Sequence, residues 1–121
     1  MSTISGKLPT YRVEICTGLA PGYAGSSTVV LGGRRLTALA VCYDFCQRAR
    51  IGLMVSDTSF MYPGGQEAGI VVSLANYPRY PTENSTVLQH ALALAEELMR
   101  VLDQERLTVV EIPGETFLVE R

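Results

Sequence analysis

The chain has 121 residues, 47% of them hydrophobic, and a formal net charge of −2. That length predicts one domain, able to bury about two thirds of its unfolded surface around a core. The slight negative charge excludes a general electrostatic attraction to DNA or to an anionic membrane, so any nucleotide contact has to be local.

Nine of the ten basic residues are arginine and one is lysine, Lys7. Arginine offers a planar fork for phosphate and stacks on rings, but a GC-rich coding sequence produces the same bias. Cys16, Cys42 and Cys46 make an odd cysteine count, and no apolar leader follows Met1. With no run long enough to span a bilayer, these features predict a soluble intracellular protein with reduced thiols.

In chain order, residues 1–10 read as a loose leader. Residues 11–17 alternate, with Tyr11, Val13, Ile15 and Thr17 on one face of a first strand. Residues 18–33 are rich in glycine and read as a long loop, with a possible short strand at 28–31. Residues 36–48 carry Ala38, Val41, Cys42, Phe45 and Cys46 at the 3/4 spacing of one helix face. Residues 51–62 and 68–77 flank Pro63-Gly64-Gly65, which predicts a hairpin. Residues 82–102 predict a second helix, its stripe formed by Val87, Ala91, Leu94, Leu98 and Leu102. Residues 107–112 and 116–120 are strands around Pro113-Gly114.

The order β-α-β-β-α-β with a final strand predicts an α+β, ferredoxin-like domain with both helices on one face of an antiparallel sheet. The other face stays open, and domains of this kind commonly cover it by oligomerising.

The chemistry-bearing residues are few. His90 is the only histidine, so any Cys–His or Ser–His pair must use it. Its bland alternative is a partly exposed helical histidine. One histidine cannot build a multi-histidine zinc site. Cys42 and Cys46, four apart in the apolar stripe, read as core thiols rather than metal ligands. Gly32-Gly33-Arg34-Arg35 could attract an anion at a helix start, or simply be a solvated one.

The segment Asn76-Tyr77-Pro78-Arg79-Tyr80-Pro81 ends the third strand with two rings, a guanidinium and an amide. It suits a flat, phosphate-bearing ligand and equally suits a stiff surface connection. Tyr23 lies in the loop after the first strand. If strands one and three are antiparallel neighbours, Tyr23 and Tyr80 leave the sheet at opposite ends. A shared ligand then needs a loop that folds back or a second subunit. No complete catalytic set is visible.

Several segments together resemble the first Thoeris anti-defence family of phages. They are Arg12-Val-Glu-Ile-Cys-Thr-Gly-Leu19 with Pro21-Gly-Tyr23, Ser59-Phe-Met-Tyr62 through Glu67-Ala-Gly-Ile-Val-Val72, Leu74-Ala-Asn-Tyr-Pro-Arg-Tyr-Pro81 and Gln104-Glu-Arg-Leu-Thr-Val-Val110. The resemblance implies a non-enzymatic sponge in the host cytoplasm. Such a sponge holds a cyclic ADP-ribose variant, or a cyclic oligonucleotide, without cleaving it. It implies homo-oligomers, dimers grouped into a larger ring such as a hexamer, with ligands between subunits. No cofactor, metal, DNA or membrane partner is expected. Carried onto this chain, the ligand contacts would be Tyr23, Asn76, Arg79, Tyr80 and Arg106. Gly32-Gly33-Arg34-Arg35 departs from the family's acidic helix start. The rival readings are a small oligomeric enzyme using His90 or a tyrosine, and a structural or regulatory phage protein.

Overall fold

The structure is a computed structural model and describes residues 3–20, 28–76 and 82–120. Six elements follow one another: β1 (Thr3–Gly18), α1 (Thr28–Ala49), β2 (Leu53–Tyr62), β3 (Gly65–Ala75), α2 (Asn84–Val101) and β4 (Thr108–Glu120). The strands form one sheet in the order β2-β3-β1-β4, every neighbouring pair antiparallel. This is the α+β, ferredoxin-like arrangement that the element order predicts.

The face that meets the helices follows from alternation. Val13, Ile15 and Thr17 of β1 pair with Leu74, Val72 and Ile70 of β3, and all six are buried. Against them α2 lays Val87, Ala91, Leu94, Leu98 and Leu102, the stripe that the sequence predicts, and α1 adds Ala38, Cys42 and Phe45. The helices are tied at their outer edge by Arg48, which bonds Asp44 four residues back at 2.8 Å and Glu97 of α2 at 2.9 Å. Its guanidinium also lies 5.5 Å from the Phe45 ring centre.

Three boundaries differ from the sequence reading. Residues 3–10 are not a loose leader: they form the first half of β1 and pair with residues 114–120. The extra C-terminal strand is present as the far half of β4, which runs through Pro113 and Gly114 without turning. Pro113 is tolerated because β4 is a sheet edge, where a missing N–H need not break a ladder. Residues 28–35, read as loop and helix start, already belong to α1, so Gly32 and Gly33 are helical. Thr37 Oγ1 bonds the Gly33 carbonyl within that helix at 3.0 Å.

The hairpin between β2 and β3 closes as the sequence predicts. Tyr62 pairs with Gly65 around Pro63 and Gly64, and Gly64 has φ +91°. Proline followed by a positive-φ glycine is the pattern of a type II turn.

Burial decides the thiols. Cys42 is 1% exposed, and burial pushes its pKa up to about 11. Cys46 and Cys16 are only half-buried. Because only the thiolate reacts, native protein at pH 8 should alkylate at Cys16 and Cys46 well before Cys42. Peptide mapping after timed iodoacetamide treatment reads that order.

Candidate functional site

The helix-free face of the sheet carries the even-numbered side of β1. Cys16 and Gly18 pair with Val71 and Gly69 of β3, and Cys16 pairs with Thr108 of β4. Phe60 of β2 pairs with Glu67 of β3 on this same face. At this end of the sheet a cavity of about 420 Å³ opens. That volume falls within the range of small-molecule sites. Its floor comes from Cys16, Gly18 and Thr108, one wall from Phe60, Tyr62 and Glu67, and the other wall from residues 104–107.

The second wall is placed by the end of α2. Asp103 takes a left-handed φ of 52°. Its N–H bonds the Arg100 carbonyl at 3.4 Å, and the Gln104 N–H bonds the Met99 carbonyl at 2.9 Å. That pair of bonds is a Schellman stop. It turns the chain sharply off the helix, so Gln104, Glu105, Arg106 and Leu107 reach over the sheet before β4 begins. Gln104 then fixes the turn to the end of β1, donating Nε2 to the Ala20 carbonyl at 2.6 Å.

Arg34 of α1 reinforces the same corner. Its Nε donates to the Leu19 carbonyl and its terminal nitrogen to the Leu102 carbonyl. One guanidinium thus joins the ends of β1 and α2, from which both sides of the cavity spring. Arg34 is a structural clamp rather than an anion receptor at a helix start. Arg35 is turned instead to Asp57 on β2, at 2.6 Å. Hydrogen bonds from a charged donor are worth about 1.5–3 kcal/mol each. Arg34→Ala should therefore lower stability by about 2 kcal/mol, read as a reduced urea midpoint.

The groups of the cavity that carry charge at neutral pH are Glu67, Glu105 and Arg106, two carboxylates against one guanidinium. Glu67 is half-buried, whereas Glu105 and Arg106 are exposed. The Cys16 thiol is held above its ordinary pKa, first by burial and then by the nearby Glu14 carboxylate. It is a neutral wall at physiological pH, not a ready nucleophile. Tyr62 and Phe60 supply the aromatic surface.

Of the residues singled out from the sequence, Arg106 lines this cavity. Asn76 stands at the other end of β3. Its N–H bonds the Tyr11 carbonyl at 3.0 Å, and its side chain accepts from the Thr82 N–H at 2.7 Å and donates to Asn84 at 3.2 Å. It anchors the connection into α2. Within one subunit Asn76 and Arg106 therefore do not meet. Tyr23, Arg79 and Tyr80 lie outside the described residues. His90 lies between the helices, its ring edge-on to Phe45 at 5.9 Å and 82°. It is on the opposite side of the sheet from the cavity, so the enzyme reading that used it loses its base.

Sequence reasoning missed Glu67, Phe60, Tyr62 and the thiol of Cys16. One signal for Glu67 was available: it is the one charged residue of its strand, two residues from Gly69. Among the described residues, no group of three His, Cys, Asp or Glu side chains could hold a metal ion. No described helix is long and apolar enough to cross a membrane.

No protein-family model matches this chain, and no curated protein matches it. Among the solved structures that share its fold are two of phage SAM lyase. A phage SAM lyase in complex with S-methyl-5'-thioadenosine is 13% identical, with a TM-score of 0.59, over 90% of this chain and 88% of the other. A phage SAM lyase in its apo state is 13% identical, with a TM-score of 0.60, over 98% of this chain and 93% of the other. At that identity the likeness is one of fold. It nonetheless corrects one expectation. The sequence led to a protein that is not an enzyme, and both of these neighbours are enzymes built on this architecture.

Proposed function

We propose that this chain is a phage anti-defence enzyme whose cavity takes an adenosine-bearing sulfonium, S-adenosylmethionine (SAM) or a close analogue, and splits it as a lyase. The observation that carries the reading is the charge balance of the cavity. SAM has two cationic centres, the sulfonium and the ammonium, and one carboxylate. The cavity offers two carboxylates, Glu67 and Glu105, and one guanidinium, Arg106. Arg106 suits the substrate carboxylate through charge-assisted hydrogen bonds. Phe60 and Tyr62 suit a sulfonium through the ring face, or an adenine through stacking. The shared fold with phage SAM lyase supports both the chemistry and the setting.

In a lyase route the bond between sulfur and the aminobutyrate chain breaks. Its electron pair stays on sulfur, giving the neutral thioether S-methyl-5'-thioadenosine. The chain carbon is completed either by losing a neighbouring proton or by closing onto its own carboxylate. Neither course consumes water. Glu67, the more buried of the two carboxylates, acts as proton acceptor in the first course and as counter-charge in the second. Because the sulfonium charge disappears during reaction, a site partly shielded from water favours the step.

The phosphate-bearing ligand implied by the Thoeris resemblance fits this cavity less well. Two carboxylates repel a diphosphate that Arg106 alone would have to hold. The test is direct. The full chain is incubated with SAM and, separately, with a cyclic ADP-ribose variant, and both are followed by liquid chromatography with mass detection. Release of S-methyl-5'-thioadenosine from SAM is expected. Intact SAM after prolonged incubation, with the cyclic nucleotide retained by the protein, would overturn the reading.

A further inference from the structure

Across the β1–β3 pair, Gly18 stands directly opposite Gly69. Both positions face the cavity side of the sheet, and neither bears a side chain. The space above them is occupied. A Cβ added at Gly18 would lie 3.0 Å from Glu67 Oε2, 3.1 Å from its Cδ and 3.2 Å from its Oε1. Such nearly equal distances mean that the carboxylate lies flat over the Gly18 backbone. The Phe60 ring covers Gly69 in the same manner, with Cε2 2.3 Å from such a Cβ.

The backbone itself does not demand glycine at position 18, because Gly64 is the positive-φ glycine among the described residues. What crowds a larger residue there is the carboxylate resting above it. Glu67 reaches that place from the neighbouring strand, and nothing larger than a bare Cα lets its carboxylate sit so low against the sheet.

We infer that Gly18 is a positioning residue: the missing side chain seats the Glu67 carboxylate low over the cavity floor, and that seat sets the preference for a cationic ligand over its neutral counterpart. The inference rests on the reading of the cavity as a sulfonium site. A methyl group at position 18 meets only the far end of a flexible side chain. Gly18→Ala therefore keeps the fold and makes the carboxylate give way by a few tenths of an ångström, off its seat. By contrast, Gly69→Ala would strike the Thr17 carbonyl at 2.5 Å and tests the fold rather than the ligand.

The experiment compares the full-length wild type, Gly18→Ala, Glu67→Gln and the double variant. Each is titrated calorimetrically with an aza analogue of SAM, whose protonated amine keeps the positive charge and resists cleavage (the SAM arm), and with S-methyl-5'-thioadenosine, the neutral thioether, and crystal structures of wild type and Gly18→Ala locate Glu67. Gly18→Ala should show a displaced carboxylate, about tenfold weaker SAM binding and thioether binding within about twofold, the scale of one lost charge-assisted contact. In the Glu67→Gln background Gly18→Ala should change neither affinity further. An unmoved carboxylate overturns the inference, and so does a displaced one with the SAM-to-thioether ratio intact. A wild type that binds neither ligand sinks this inference and the sulfonium reading together. A wild type that binds both, beside a Gly18→Ala variant of unchanged ratio, sinks the inference alone.

Discussion

Glu67→Gln is expected to slow release of S-methyl-5'-thioadenosine from SAM by at least about 100-fold while the melting temperature holds. Glutamine keeps the shape of the side chain over Gly18 and removes only its charge and basicity. A positioned general base contributes on the order of a hundredfold or more in rate, whereas a counter-charge to a sulfonium that is lost in the reaction aids substrate binding. The loss should be larger in kcat than in KM if Glu67 accepts a proton, and larger in KM if it only balances the sulfonium. Glu105→Gln, altering the exposed carboxylate of the same cavity, serves as the comparison and should cost far less. A Glu67→Gln enzyme within about threefold of wild type would place the chemistry elsewhere.

The largest effect on stability should come from Leu98→Ala. Leu98 is 0% exposed on α2 and belongs to the single cluster that joins both helices to the sheet. Removing a buried leucine side chain loses its transfer free energy and leaves a cavity, together about 3 kcal/mol. A domain of this size has about 5–15 kcal/mol in hand, so one such change removes a large share. Chemical denaturation should show a lower midpoint with an unchanged slope. The slope matters, because a change in it would mean that the unfolded reference had altered instead. Leu92→Ala on the same helix, at a position 48% exposed, should cost well under half as much.

The two helices and the hairpin were legible because their signals are local. The stripe Val87, Ala91, Leu94, Leu98 and Leu102 repeats at helical spacing, and each member is buried. Pro63-Gly64 announces a turn whose backbone then needs a positive φ at the second residue. Pro113-Gly114 carries a similar signal and yet does not turn the chain, because β1 offers residues 3–16 as a partner along the whole length of β4. That pairing joins the two ends of the sequence, and no local window contains it. Likewise Gly32 and Gly33 read as a loop, while the helix runs through them, held to the body by Arg34 through the carbonyls of Leu19 and Leu102.

The cavity was less legible than the fold for the same reason. Arg106 was singled out and lines it, but Glu67 and Phe60 were not. Their meeting depends on the β2–β3 register, which sets Phe60 opposite Glu67. A shift of one residue in that pairing would send Phe60 to the helix-covered face and leave Glu67 alone on the open one. Asn76 was singled out for a ligand and instead ties the end of β3 to β1 and to the start of α2.

By itself, the sequence determined the order of the elements, which side of each was apolar, and hence the α+β sheet with two helices on one face. Those properties follow from the period of hydrophobic residues along a short stretch of chain. Only the tertiary structure decided where the chemistry sits. It set Glu67 over Gly18 and Phe60 over Gly69 and folded residues 104–107 across them, and it left His90 beside Phe45 on the other side. Register and long-range closure bring those groups together, and neither is written in any local pattern of residues.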